Sequence, residues 1–364
     1  MIKITPRDIA PMALGGAFLA TGGGGDTLIG EITAEAALRK FGDVELIDAS
    51  ELASHATVVA IGAAGSPTIM QEKPSNGQEA LWALETLESR LGKKVDALIA
   101  FEAGGMNALL PFCVAAERKL PVLDADGMGR AFPELQMESF SIYGVSATPL
   151  AAAAELGDRL ILEQARSPFV AERLVRQFAV DAGGGQCISA EHVMTGETVR
   201  RVAIHGTISL CISIGHLLTE HASDLPAFVS RLTDLMAPTH YGEVRPLFDG
   251  KVVDISRRVE GGYDYGTLRL DPFDKSQGEL SISIKNEYMV ARQGDRPIAL
   301  TPDLICILDI ETGRPITAET IRYGQRVTVI GIGAPELMRT ERALEVVSPR
   351  NFGFEFDYTP LEDL

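Results

Sequence analysis

The sequence predicts an α/β protein: an N-terminal, mostly parallel sheet with flanking helices, plus a β-rich C-terminal domain. In the first 165 residues, short apolar runs alternate with helical patterns, which is typical of a sheet covered on both faces. After about residue 240, strand-like runs are separated by turn residues such as Glu311-Thr312-Gly313. We therefore predict an N-terminal α/β domain over residues 1–165. The C-terminal domain covers 166–364 and is helical to about 240, then β-rich.

Capping signals and apolar runs define the elements of the N-terminal half. Thr5-Pro6-Arg7-Asp8 predicts a helix start, with a threonine cap and an acid three residues later. This helix ends before the run Gly22-Gly23-Gly24-Gly25, and a second helix extends to about Lys40. Further helices are predicted at 78–91 and 107–119. The predicted strands are 44–47, 57–61, 97–101 and 122–123.

The C-terminal half begins with helical patterns and continues as strands. Residues 204–236 are helical in pattern, and Pro226 divides them into two helices. The predicted strands are 251–257, 266–270, 280–284, 288–291, 304–309 and 326–330.

Composition excludes several classes of partner. Fifty acidic residues against 33 basic ones give a net charge of −17, which argues against nucleic acid because phosphate binding needs clustered Lys and Arg. No apolar run approaches the length of a membrane span, and the N-terminus does not resemble a signal peptide. The four cysteines form no CxxC pair and fit a reducing compartment. We therefore expect a cytoplasmic protein with neither nucleic acid nor membrane as a partner.

The strongest candidate site follows the strand at 122–123. Asp124 and Asp126 come directly after this apolar run, and Arg130, Glu134 and Gln136 follow them. Buried charges must be paired or hydrogen-bonded, and such clusters are typical of functional sites. The alternative is a turn in which Asp124 and Asp126 accept hydrogen bonds from nearby backbone amides.

Polar loops also follow two other predicted strands. The strand at 97–101 leads into Glu102, Gly104, Gly105 and Asn107, and the strand at 57–61 leads into a loop from Gly62 to Lys73 that contains Gly65. In a parallel sheet the carboxyl ends of the strands meet at one edge, so Glu102, Asp124, Asp126 and Lys73 are expected to converge. These carboxylates could act as general acid and base, or as oxygen ligands of a divalent metal. For Asn107, capping of the next helix is an equal alternative.

Two glycine runs add further candidates. The run ending at Gly25-Asp26 provides free amides at a helix start, which suit an anion or a carbonyl group; the alternative is a flexible turn. It follows a helix and lacks the Lys-Ser/Thr of a P-loop, so no nucleotide is expected. The second run precedes Cys187, for which His192 or His205 would be the partner of a nucleophilic thiol. His205 could also reach the site from the second domain.

Several of these segments resemble one known family. TGGGGDT, FEAGGMN, PVLDADGMGRAFPELQM and DAGGGQC resemble its N-terminal region, and LICILDIETGRPIT and IRYGQRVTVIGI resemble its C-terminal region. The chain is thereby identified as a member of the S-methyl thiohydantoin desulfurase family, which is often encoded beside hydantoinase/oxoprolinase subunits. The resemblance covers nearly the whole chain. It implies a hydrolase in which water attacks the ring carbon bearing sulfur, methanethiol leaves and a hydantoin remains.

The sequence thus leads to one main expectation and one competitor. The main expectation is a hydrolase of a small thiohydantoin-like or hydantoin-like ring, with an optional divalent metal; we also expect a homo-oligomer. The competitor is a non-catalytic partner subunit, or a small-molecule binding protein, of a hydantoinase/oxoprolinase system. The catalytic candidates are Asp124, Asp126, Glu102, Lys73, Glu134 and His205. The substrate-binding candidates are Gly23, Gly24, Gly25, Asp26, Gly65, Gly104, Gly105, Asn107 and Arg130.

Overall fold

The computed structural model describes residues 1–25, 27–65, 76–182, 185–260 and 263–364, and it confirms the predicted fold class. Its N-terminal sheet has the strand order β1-β2-β5-β4-β3-β8-β6-β7, with β9 paired to β5. The strands are β1 (Ile2–Ile4), β2 (Val44–Ile47), β3 (Thr57–Gly65), β4 (Ala97–Ala100), β5 (Val122–Asp126), β6 (Leu150–Ala153), β7 (Arg159–Leu162), β8 (Gln186–Thr195) and β9 (Ile204–His205).

The centre of this sheet is parallel and its flanks are antiparallel. Strands β2, β5, β4 and β3 run parallel, so their carboxyl ends meet at one edge as predicted. Strand β8 pairs antiparallel with β3, and β6 continues the sheet beyond it. The sequence analysis did not predict β8, since polar residues interrupt its apolar run. These polar side chains, among them Glu191 and His192, are nevertheless fully buried.

Helices cover the N-terminal sheet and connect it to the second half. Thr5 caps the first helix in the predicted capping box, because the Asp8 carboxylate accepts a hydrogen bond from the Thr5 amide at 2.8 Å. The helices are α1 (Pro6–Leu19), α2 (Thr27–Phe41), α3 (Glu79–Leu91), α4 (Leu110–Arg118), α5 (Ser139–Ile142), α6 (Pro168–Asp181), α7 (Gly196–Val202), α8 (Thr207–Glu220), α9 (Leu225–Met236) and α10 (Glu341–Val347). Among the described residues, none of the helices is both long and apolar enough to cross a membrane.

The C-terminal half is an antiparallel half-barrel, in the order β14-β13-β12-β11-β10-β16-β15. Alternate residues face its apolar interior, where Leu268, Ile282 and Val329 are fully buried. The strands are β10 (Val244–Glu260), β11 (Tyr263–Pro272), β12 (Leu280–Lys285), β13 (Glu287–Gln293), β14 (Arg296–Leu300), β15 (Leu304–Asp309) and β16 (Arg326–Ile332).

A fully buried arginine joins the two halves. Arg130 follows β5, and its guanidinium donates to the carbonyl oxygens of Pro302 and Asp303 at 3.2 and 2.8 Å, just before β15. It also donates to the Thr21 hydroxyl at 2.7 Å and to the Tyr288 carbonyl at 3.3 Å. The donors of Arg130 are thus used by the protein itself. This corrects its assignment to substrate binding, since its side chain is a structural link between the halves.

We expect the substitution Arg130→Met to lower the free energy of unfolding by about 3–5 kcal/mol, because it leaves buried carbonyl groups without donors. Urea denaturation followed by circular dichroism measures this loss. The control is Arg350→Met, which removes an exposed arginine paired with Asp357 and should leave the unfolding midpoint unchanged. Equal midpoints for the two variants would contradict the structural role of Arg130.

Candidate active site

One polar cleft opens where the carboxyl ends of β3 and β4 meet α6 and the turn between β12 and β13. The space between its walls, counted out into open solvent, is about 640 Å³, and the enclosed part is much smaller. Glycine loops, carboxyl groups and a few apolar side chains form its walls. The polar and glycine residues that line it are Gly24, Gly25, Gly65, Glu102, Asn107, Glu134, Glu138, Glu172, Arg176, Ser189, Glu191, Asn286 and Glu287.

Both oxygens of the Glu102 carboxyl group are held by hydrogen bonds in the cleft. Glu102 follows β4 and is 4 % exposed. Asn107 Nδ2 donates to its Oε1 at 2.6 Å, and the Phe132 amide donates to its Oε2 at 3.0 Å. Burial raises the pKa of Glu102 to about 8, and the nearby Asp126 charge adds to the shift, which outweighs these hydrogen bonds and the charge of Arg130. At neutral pH, Glu102 is therefore an oriented carboxylic acid.

The Asn107 side chain holds Glu102 in place and does not cap a helix. Its side-chain oxygen accepts from the Ala63 amide of β3 at 2.8 Å, while its nitrogen holds Glu102. This bridge fixes Glu102 to the neighbouring strand. Asn107 and Glu102, both candidates from the sequence, are thus brought together in the cleft.

A second buried group consists of Glu138, Glu191 and His192, all with no exposed surface. His192 Nδ1 lies 3.1 Å from Glu191 Oε1 and 3.5 Å from Glu138 Oε2. Burial raises the pKa of Glu138 well above its usual range, and the Glu191 charge adds to this shift. Glu138 and Glu191 are among the residues that form the wall of the cleft, so the group lies directly behind its surface.

A β-bulge explains how two consecutive residues reach this group. Neighbouring side chains of a strand normally point to opposite faces. The pairing of β3 with β8 shifts between Val58 and Ala60, opposite His192, and His192 has a φ of +48°. Such bulges redirect side chains and are frequent at functional sites. Here the bulge brings His192 beside Glu191 rather than leaving it on the opposite face.

Two ion pairs form the outer part of the cleft. Arg176 donates to Glu172 at 2.6 Å, and Lys285 donates to Glu134 at 2.8 Å. The cations of both pairs lie over the ring of Tyr263, at 4.3 and 4.8 Å from its centre. Glu134 is thus located at the cleft as predicted, and its carboxylate is paired with a lysine of the half-barrel.

The two aspartates of β5 lie behind the cleft rather than in its lining. Asp126 is fully buried, and its Oδ2 accepts from the amides of Ala103, Met128 and Gly129 at 2.7–3.1 Å. Asp124 accepts from the Ser209 amide in the first turn of α8 at 2.9 Å. The hypothesis that both would line one cleft with Glu102 is therefore wrong. The alternative, carboxylates that bind nearby backbone amides, describes them better.

Asp126 still helps to position the loop that carries Glu102. Burial raises the pKa of Asp126 to about 6, although three amides stabilise its charged form. It organises the loop after β4 that carries Glu102, since Ala103 is one of its donors. Within the described residues, Glu102, Asp124 and Asp126 do not form a group that could share a metal ion. That alternative from the sequence is corrected, because Asp124 and Asp126 bind amides instead.

The glycine candidates form a tight junction beside Glu102. Gly24 accepts from the Met106 amide at 2.8 Å, and a Cβ on Gly105 would lie 2.2 Å from the Gly24 oxygen. A Cβ on Gly104 would meet Ala131, and one on Gly23 would overlap the Glu287 carboxyl group at 2.1 Å. These positions need glycine for packing. Gly24, Gly25 and Gly65 also line the cleft, where they allow a ligand to approach the backbone.

The remaining candidates are located elsewhere. His205 Nε2 lies 3.1 Å from the Arg200 carbonyl and lines a separate cavity with His240 and Glu336, so it is not brought to the cleft. Cys187 is buried, and burial raises the pKa of its thiol, which is the opposite of an activated nucleophile. Lys73 and Asp26 lie outside the described residues, so their assignments stay predictions.

Glu138, Glu191 and the role of His192 were not predicted from the sequence. Glu138 stands one residue beyond the PVLDADGMGRAFPELQM segment and begins α5, while Glu191 and His192 belong to the unpredicted strand β8. The available signal was the polar run Ser189-Ala190-Glu191-His192 between apolar residues. Polar residues inside an otherwise apolar strand indicate a functional site as strongly as polar residues at the end of a strand.

The fold and the cleft define an α/β protein with a C-terminal half-barrel and a pocket rich in carboxyl groups. The chain belongs to the S-Me-THD-like family: the model of the family's N-terminal domain matches residues 7–164, and that of its C-terminal domain matches residues 166–361. The predicted resemblance is thereby confirmed. The family's name points to a thiohydantoin desulfurase, and hence to an enzyme.

The fold is shared with a known crystal structure. A protein from Chromobacterium violaceum is similar with a TM-score of 0.83 and 23 % identity, over 99 % of this chain and 100 % of that one. At this identity the likeness shows the fold alone. The search of curated proteins found no match.

We expect Asp124→Asn to leave turnover near the wild-type value and to cost less than about 1 kcal/mol of stability, because Asn still accepts from the Ser209 amide. Asp124→Ala removes the acceptor and should cost about 1 kcal/mol. Thermal denaturation and steady-state kinetics measure both effects. Loss of turnover in a folded Asp124→Asn protein would show that the Asp124 carboxylate takes part in the reaction.

Proposed function

We propose that the protein hydrolyses an S-methylated thiohydantoin ring in this cleft, producing the hydantoin and methanethiol. One observation carries the proposal: in a member of this family, the oriented carboxyl group of Glu102 shares a pocket with the buried group of Glu138, Glu191 and His192. A hydrolysis at a ring C=N bond needs a proton donor and a means of activating water, and the two features supply these separately.

The reaction would proceed by addition and elimination at the ring carbon that bears sulfur. This carbon lies between two ring nitrogens and is bonded to one of them by a double bond. Proton transfer from Glu102 to that nitrogen makes the carbon more electrophilic, and water adds to it after losing a proton to the group of Glu138, Glu191 and His192. The C–S bond then breaks as the new hydroxyl group becomes the ring carbonyl and returns its proton to Glu102, while the methanethiolate takes the proton that the group of Glu138, Glu191 and His192 accepted from water. The net reaction converts the S-methylated thiohydantoin and one water molecule into hydantoin and methanethiol.

The cleft also offers groups for binding the substrate. The neutral carboxyl group of Glu287, whose pKa burial raises well above its usual range, can donate to a ring carbonyl oxygen. The Gly24–Gly25 backbone allows a flat ring to lie close to the chain. At the outer end, Arg176 and Lys285 each form an ion pair with a glutamate, so the rim presents polar groups of both signs to a substrate.

The first test is methanethiol release by the purified full-length protein from an S-methyl thiohydantoin bearing a carboxylate tail. We expect Glu102→Gln to lower turnover at least about 100-fold, because it keeps the shape of the side chain but lacks the transferable proton. The control is Glu85→Gln, an exposed position on α3, which should retain full activity. Normal turnover by Glu102→Gln would remove Glu102 from the mechanism.

The pH dependence provides an independent check. Since the protonated form of Glu102 is the active one, kcat/KM should fall as pH rises above about 8, approaching tenfold per pH unit. The charges around Glu102 that set this limb are Asp126, Arg130, Glu138 and Glu287. In Glu102→Gln the residual activity should lack this limb. If the folded wild-type protein released no methanethiol, with or without divalent metal, the non-catalytic partner subunit would be favoured.

A further inference from the structure

We propose that Glu138, Glu191 and His192 bind one divalent transition-metal ion of the Zn²⁺ type in the wall of the cleft. The ligand atoms, one from each residue, lie within 4.8 Å of one another, and none of the three residues is exposed. They come from the start of α5 and from the bulge of β8. The metal would supply the activated water of the proposed function, and in that respect the inference rests on it.

The polar atoms of this group lack partners. Both oxygens of Glu138, Oε1 of Glu191 and Nδ1 of His192 are buried without a hydrogen bond. The 3.1 Å contact between His192 Nδ1 and Glu191 lacks hydrogen-bond alignment. Buried carboxyl oxygens that face one another repel unless a cation or a shared proton lies between them. A cation at their centre would satisfy all three side chains at once.

The described cations nearby are engaged elsewhere. Arg176 binds Glu172, Lys285 binds Glu134, and Arg130 binds carbonyl groups of the half-barrel. Within the part of the chain that the structure describes, no salt bridge joins a lysine or arginine to Glu138 or Glu191. The carboxyl oxygens of Glu138 and Glu191 are therefore not paired with any described lysine or arginine, and they can bind a cation.

The surrounding hydroxyl groups orient the ligands. Ser141 Oγ lies 2.9 Å from His192 Nε2, and Ser189 Oγ donates to Glu191 Oε2 at 3.0 Å. If Nε2 carries the proton and donates to Ser141, the Nδ1 lone pair points to the carboxylates. A histidine that binds a metal through one nitrogen usually donates from the other in this way.

The chemistry of the ligands favours a transition ion. One imidazole nitrogen with two carboxylates suits Zn²⁺ and its first-row neighbours, whereas Ca²⁺ and Mg²⁺ prefer oxygen ligands alone. Three protein ligands leave at least one coordination position open. Because Glu138 and Glu191 line the cleft, that position would face the space where a substrate binds.

The test is Zn²⁺ binding by the full-length protein, stripped with a chelator and kept with a phosphine reductant. Calorimetry and elemental analysis after dialysis should give one equivalent of Zn²⁺ per chain, and Zn²⁺ should raise the Tm. Glu138→Gln, Glu191→Gln and His192→Asn should each bind Zn²⁺ at least 100-fold more weakly. Asn is chosen because it tolerates the positive φ of residue 192. The control Glu287→Gln, in the same cleft, should bind like the wild type.

The outcomes are separable from those of the activity assay, since binding is measured without substrate. Less than about a tenth of an equivalent of Zn²⁺ on folded wild-type protein would overturn the site, as would unchanged binding by folded variants of the three ligands. Circular dichroism of each stripped variant establishes that it is folded. Full methanethiol release by metal-free protein would also overturn the metal's role while leaving the proposed reaction intact. One bound equivalent without methanethiol release would support the site and refute the reaction.

Discussion

The buried guanidinium of Arg130 is the interaction on which the geometry of the cleft depends. It binds carbonyl groups of the half-barrel on one side and the Thr21 hydroxyl on the other, and Thr21 in turn accepts from the Tyr288 amide at 2.7 Å. The ring of Phe132 lies under the same guanidinium, and the Phe132 amide holds Glu102. Full burial lowers the pKa of Arg130 only to about 10, so it stays charged. One cation thus connects both halves of the chain to Glu102 in the cleft.

The predictable part of the molecule is the part governed by local pattern. The capping box of α1, strands β2 to β5 and every half-barrel strand except β14 follow from short-range periodicity and turn residues, as does the position of Glu102 after β4. Asp124 and Asp126 were found for the same reason, but their function was not predictable. A carboxylate after a strand can serve a ligand or a backbone amide, and the arrival of α8 at β5 decides between them.

What local pattern could not show is the strand β8 and the group it helps to form. Its polar residues break the apolar run that identifies a buried strand, and its partner β3 lies more than a hundred residues earlier. The bulge at His192 is a tertiary feature, because it exists only in the pairing with β3. Glu138 comes from a third segment. A group assembled from such distant parts has no signature in any one window of sequence, although each polar residue is itself visible there.

The carboxyl groups in and behind the cleft differ in the number of hydrogen-bond donors that the chain supplies to each. Where a buried carboxylate receives several amides, as Asp126 does, it serves the backbone. Where it receives only two donors and faces another acid, as Glu102 does, it keeps its proton at neutral pH and is suited to donate it. Where it receives none, as with both oxygens of Glu138, the fold leaves a position for a ligand to complete. The number of donors that the chain supplies to each carboxyl group thus distinguishes the backbone support by Asp126 from the proposed proton donation by Glu102 and the proposed ligand binding by Glu138.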